Sequence, residues 1–130
     1  QSLAEIDQPG RRIGASLGSS SQGKLTRAFK HAAVVPVPSL KAAAEMLSQR
    51  QLDAFATNKG ILFEMSDSLP GARILEGHWD LEHLAIAIPK GREAGMAYVH
   101  RFAAQVRSSG LLQSIVQQAG LRGTVAPESK

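Results

Sequence analysis

Ile13-Gly14-Ala15-Ser16-Leu17-Gly18-Ser19-Ser20-Ser21 decides how this chain is read. A short apolar strand runs into a glycine, three serines follow, and a helix-compatible run extends from Gln22 to Lys30. The N–H groups of a helix's first turn have no intrahelical acceptor, and the partial positive charge there favours an anion. Serine hydroxyls add donors without bulk, and Gly18 permits a tight turn. No aspartate or glutamate stands in this first turn. Two readings follow from the motif: a site for an external anion at Ser19, Ser20 and Ser21, or an ordinary strand-to-helix turn with a serine cap.

Working outward, strand-like and helix-like segments alternate. Arg12 to Leu17 reads as a strand and Ser21 to Lys30 as a helix with Leu25, Ala28 and Phe29 on one face. Ala33 to Val37 is a β-branched run broken by Pro36 and closed by Pro38, which suits a strand nearer a sheet edge. Ser39 caps a helix whose apolar residues Leu40, Ala43, Ala44 and Leu47 follow the helical spacing. Leu52 to Ala56 is a short buried strand, followed by the turn Thr57-Asn58-Lys59-Gly60 and a helix from Ile61 to Leu69. Ala72 to Leu75 and Leu84 to Ile88 read as two further strands, separated by a polar loop. Two helices close the chain, Arg92 to Ser108 and Leu111 to Ala119, and the tail from Gly123 reads as frayed.

This alternation predicts an α/β fold in three layers, with a mainly parallel five-stranded sheet in which Arg12–Leu17 is central between Ala33–Val37 and Leu52–Ala56, and two C-terminal helices. Residues 1–91 form an α/β ligand-binding lobe and residues 92–130 the closing helices. In open α/β sheets ligands bind outside the carboxyl ends of the strands. The turns holding Ser19 to Ser21 and Asn58-Lys59 both fall at such ends, so Ser19, Ser20, Ser21, Asn58 and Lys59 are the expected ligand-binding residues.

Composition narrows the function. The 130 residues suffice for one compact domain, and 43% hydrophobic with 20% charged residues describes a globular chain. The net charge is +4, yet the basic residues are scattered and aromatics are few, which argues against nucleic acid, and mild basicity fits a small anionic ligand equally well. With no cysteine there is neither a disulfide framework nor a thiolate metal site. His78 and His83 flank Trp79, Asp80 and Glu82, but at no recognised ligand spacing, so no metal is expected. The serines lack a G-x-S-x-G elbow, and Gly14, Gly18 and Gly23 have the wrong spacing for a dinucleotide loop. No catalytic residue and no cofactor is expected. Trp79 reads either as a core anchor or as a stacking wall over the ligand.

The run Asp7-Gln8-Pro9-Gly10-Arg11-Arg12-Ile13-Gly14, followed by Gly18-Ser19-Ser20, resembles the start of the second lobe of periplasmic solute-binding proteins of ABC transporters, in the type II, amino-acid-binding-like family. Leu52-Asp53-Ala54-Phe55-Ala56-Thr57-Asn58 resembles that family's strand and turn of pattern G-x-x-D-A-x-x-x-D. Leu84 to Gly91 resembles the strand leading back to the first lobe, and the closing helices resemble the family's C-terminal pair. The likeness spans Ile6 to Gly120 and covers the second lobe and C-terminal helices only.

The resemblance implies a periplasmic module that binds a solute without chemistry and docks on the membrane subunits of a transporter. It also implies that Leu84 to Ile88 is an antiparallel insertion. Amino-acid binders of the family place a carboxylate where this chain has Asn58, to hold the ligand's ammonium. A buried ammonium without a counter-charge is costly, so a carboxylate or other small oxyanion fits better. The helices of residues 92–119 would lack the first lobe they pack on in the family, and a homodimer through them is the expected cover. Alternatives on the same fold are the effector-binding domain of a bacterial transcription regulator and a dehydratase-like enzyme.

Overall fold

The computed structural model describes residues 5–125. The chain divides into two compact units, the first running to Leu81 and resuming at Gly123, the second spanning Glu82–Arg122.

The first unit contains β1 (Arg12–Ser16), α1 (Ser20–Ala28), β2 (Ala33–Val37), α2 (Leu40–Ser48), β3 (Ala54–Ala56) and α3 (Lys59–Ser68). Its three strands are parallel in the order β2-β1-β3. β1 is therefore central, as the serial β-α-β reading expects. Arg12 aligns with Ala33 and Ser16 with Val37 on one side, and Ile13 aligns with Ala54 and Ala15 with Ala56 on the other. β2 lies at an edge, which is where Pro36, with no N–H to give a ladder, is tolerated.

The period-2 alternation of the strands sorts side chains onto two faces. Ile13, Ala15 and Ala56 pack with Leu25 of α1 on one face. Val37, Leu52 and Phe55 pack with Ala43 of α2 on the other, joined by Leu62 and Met65 of α3. Gly14 faces this second cluster. A Cβ there would lie 2.6 Å from Leu52 Cδ1 and 3.1 Å from Val37 Cγ2, so the absence of a side chain is what lets the second layer approach.

The five-stranded sheet is corrected to three strands. Among the described residues, Ala72 to Leu75 and Leu84 to Ile88 form no strand, and no strand is antiparallel. Leu84 is 95% and Ile86 54% exposed. Strand propensity becomes a strand only beside a partner ladder, and β3 offers an edge of just three residues. The strand expected over Leu52 to Ala56 is shortened to Ala54–Ala56: the Leu52 N–H is given to the Met46 carbonyl at 3.2 Å instead of to a ladder, although Leu52 stays buried.

The second unit holds a short 3-10 turn over Glu93–Gly95, then α4 (Met96–Ser108) and α5 (Leu111–Gln118), joined at Gly110. The helix expected from Arg92 thus begins at Met96. Neither α4 nor α5 has a buried residue. Tyr98 is 68% and Phe102 49% exposed.

The frayed tail is corrected at its start: Gly123 lies against Lys59 and Gly60. Residues 126–130, the rest of that expectation, lie outside the described residues.

Candidate anion site at the carboxyl edge of the sheet

Each strand of the sheet is followed, two or three residues on, by a residue that caps the next helix. Ser19 follows β1, and its Oγ accepts the N–H of Gln22 at 3.1 Å. Gln22 reciprocates, its Oε1 accepting the Gly18 N–H at 2.7 Å. The pair is a capping box displaced by one residue, and it pins the turn at both ends. Gly18 holds φ +74°, the left-handed conformation the tight turn needs. Ser39 follows β2 and accepts the Ala42 N–H at 3.1 Å. Asn58 follows β3 and accepts the Ile61 N–H at 3.0 Å.

The first turns of α1, α2 and α3 contain no acidic residue. The strands are parallel, so all three helices start at the same edge of the sheet. Their order adds a second feature. The chain passes from β1 outward to β2, then back across β1 to β3. The starts of α1 and α3 flank the place where the winding reverses, which is where ligands enter open α/β sheets.

The structure refines the role of each expected residue. Ser19 and Asn58 have each committed an oxygen to capping; the serine-cap reading of the first turn holds for Ser19, and the cap at Asn58 is added by the structure. An amide that accepts through Oδ1 still presents its NH₂, and a hydroxyl that accepts still has its O–H to give. Both therefore keep donor capacity for a ligand. Ser20 is exposed at the first helical position, where its N–H has no acceptor within the helix. Ser21 is buried. Lys59 is half-buried at the first position of α3, where its charge adds to the helix field instead of cancelling it. Ser39 was legible as a cap in the sequence. What the strand list could not tell is that it shares this edge.

Carboxylates gather at the opposite edge. Asp7 accepts the backbone N–H groups of Lys30, His31 and Ala32 at 2.9, 2.8 and 2.8 Å. The Ala32 and Lys30 bonds hold its pKa below the ordinary 3.8, against the opposing effect of desolvation. Asp53 accepts the Arg12 N–H at 2.8 Å and pairs with the Arg11 guanidinium at 3.3 Å. The Arg12 N–H is the main cause of its lowered pKa. The two acids therefore serve the amino edge of the sheet, where they tie loops to β1 and β2, and leave the carboxyl edge without a fixed negative charge in its helix starts.

Trp79 is neither a core anchor nor placed over this edge. It is 40% exposed and lines a recess of about 260 Å³ with Lys24, Leu25, Ala28 and Phe29 on the flank of α1. Lys24 pairs with Asp80 beside it. Among the described residues, no three His, Cys, Asp or Glu side chains come together to hold a metal ion. Among the same residues no helix is long and apolar enough to cross a membrane.

Compared with known protein families, with curated proteins and with solved structures, the chain has no match.

Proposed function

We propose that the carboxyl edge of this sheet binds a small anionic solute, a carboxylate or another oxyanion, without chemistry. One observation carries the reading: the starts of α1 and α3 flank the winding reversal, and neither has an acid in its first turn. Backbone N–H groups, the Ser20 hydroxyl, the Asn58 NH₂ and the Lys59 ammonium are all donors. An edge rich in donors, with a lysine and no carboxylate in its helix starts, suits an oxyanion better than an ammonium. In this reading these groups hold the solute and do no chemistry on it.

Taken with the resemblance of the sequence to the second lobe of solute-binding proteins, the module is a periplasmic transporter component that hands its solute to membrane subunits. The unburied faces of α4 and α5 support pairing of two copies through residues 92–119.

Calorimetric titration with acetate, succinate and inorganic phosphate tests the site. Ser20→Asp sets a fixed negative charge at the start of α1, where it strengthens the helix while opposing an anion. Wild type is expected to bind at least one of the three and Ser20→Asp to lose about tenfold in affinity, the scale of a charge effect of roughly 1.4 kcal/mol. Equal binding by both forms rejects the site.

A further inference from the structure

Glu82-His83-Leu84-Ala85-Ile86-Ala87-Ile88-Pro89-Lys90 has the make-up of a strand and none of a strand's bonds. Leu84, Ile86 and Ile88 alternate with Ala85 and Ala87, so a period of two gathers the large apolar side chains on one face. Leu84 and Ile86 stand exposed, and Ile88 is half-buried. Among the described residues, residues 82–88 make no backbone–backbone hydrogen bond. An uncharged apolar run with open backbone groups is a template for pairing with another chain.

The flanks of the run say which chain. Laid antiparallel on a second copy with Ile86 opposite Ile86, the segment sets Leu84 opposite Ile88, Ala85 opposite Ala87 and Glu82 opposite Lys90. The two-fold axis repeats each pair, so apolar residues meet in the middle and opposite charges close both ends. A slide of two residues destroys the match. It puts Leu84 opposite Lys90 in one direction and Glu82 opposite Ile88 in the other. Pro89 agrees with the same register. Antiparallel pairs alternate between hydrogen-bonded and non-hydrogen-bonded. With Ile86 in a hydrogen-bonded pair, Pro89 meets His83 in a non-hydrogen-bonded one, where the ladder asks no N–H of it.

We propose that residues 82–90 pair antiparallel with the same residues of a second copy, about a two-fold axis at Ile86. The inference rests on the pairing of two copies through residues 92–119 and adds to it a ladder of fixed register. Two short strands are marginal by themselves, so the ladder and the helices that follow it hold the dimer together.

The chain has no cysteine, so single introduced cysteines report the register. Ile86→Cys would meet its own copy at about 5.5 Å between Cα atoms, within disulfide reach. Leu84→Cys would lie four residues along the ladder from its own copy, about 13 Å away and out of reach. Its partner would be Ile88→Cys on the other chain. Under diamide at micromolar concentration, Ile86→Cys is expected to form a covalent dimer at least about tenfold faster than Leu84→Cys or Ile88→Cys alone. An equal mixture of the last two should crosslink nearly as fast as Ile86→Cys. By light scattering, Glu82→Lys should weaken dimerisation several-fold, and adding Lys90→Glu should restore it. A dimer mass for wild type without preferential crosslinking of Ile86→Cys overturns the ladder and leaves the helix pairing standing. A monomer mass with no crosslinking overturns both, and is the result if the segment lies on its own chain's sheet instead. Equal crosslinking at all three positions reports random collision and overturns the register. Crosslinking in register with a dimer indifferent to Glu82→Lys overturns the charge pair at the ends.

Discussion

Gly14 and Leu52 are as close as the backbone of one and the side chain of the other permit: a Cβ on Gly14 would fall 2.6 Å from Leu52 Cδ1. Phe55 and Val37 close the same space at 3.0 and 3.1 Å. Gly14→Val is therefore expected to destabilise the protein by about 1–3 kcal/mol through overpacking on the α2 face. Urea denaturation measures it. A loss below half a kcal/mol would mean that the β1–α2 layer gives way without strain.

A second expectation concerns acid. Asp7 bonds to three backbone N–H groups and its pKa is lowered, principally by Ala32 and then by Lys30. Asp53 is lowered in the same sense, principally by the Arg12 N–H. A carboxylate whose folded pKa lies below its unfolded value of about 3.9 contributes stability that is fully present above that value. The contribution is lost as pH falls from about 4 through the lowered folded value. Asp7→Asn puts an NH₂ among donors and removes the charge, so it should lower the melting temperature at pH 7. The gap from wild type should narrow below pH about 4. A gap that stays constant from pH 7 to pH 2 contradicts this role for Asp7.

Asn58 separates cap from ligand contact. Aspartate caps a helix as well as asparagine does, so Asn58→Asp is expected to keep the melting temperature or raise it. The same change replaces a donor with a negative charge. At about 4 Å and an intermediate dielectric two like charges repel by roughly 4 kcal/mol, which exposure to solvent reduces. Acetate binding should fall at least tenfold by calorimetry. An unchanged acetate affinity, or a glycine affinity in wild type above that for acetate, shows that Asn58 does not face an anion.

Phe102 tests the assembly. It stands half-exposed on α4, a helix with no buried residue. Light scattering at micromolar concentration is expected to give the mass of a dimer for wild type and of a monomer for Phe102→Glu. A monomer mass for both removes the pairing through residues 92–119.

Helix starts and strand sequence were legible because they depend on neighbours a few residues away. Ser19 and Ser39 announce their caps through a single side chain and the N–H three residues on, whereas the same bond at Asn58 was not read from the sequence. The apolar spacing of Leu40, Ala43 and Leu47 needs no tertiary partner to be read. The central place of β1 followed from right-handed serial crossovers, and the edge place of β2 from Pro36. Leu84 to Ile88 shows where such reading stops: its alternation is that of a strand, but a strand exists only when another chain segment offers a ladder, and none does among the described residues. Local chemistry likewise marked Asn58 and Lys59, while the arrival of Gly123 beside them, more than sixty residues later, is a matter of packing. A short-range hydrogen bond is written in adjacent residues, whereas which distant backbone comes to lie beside a helix start is decided only when the whole chain folds.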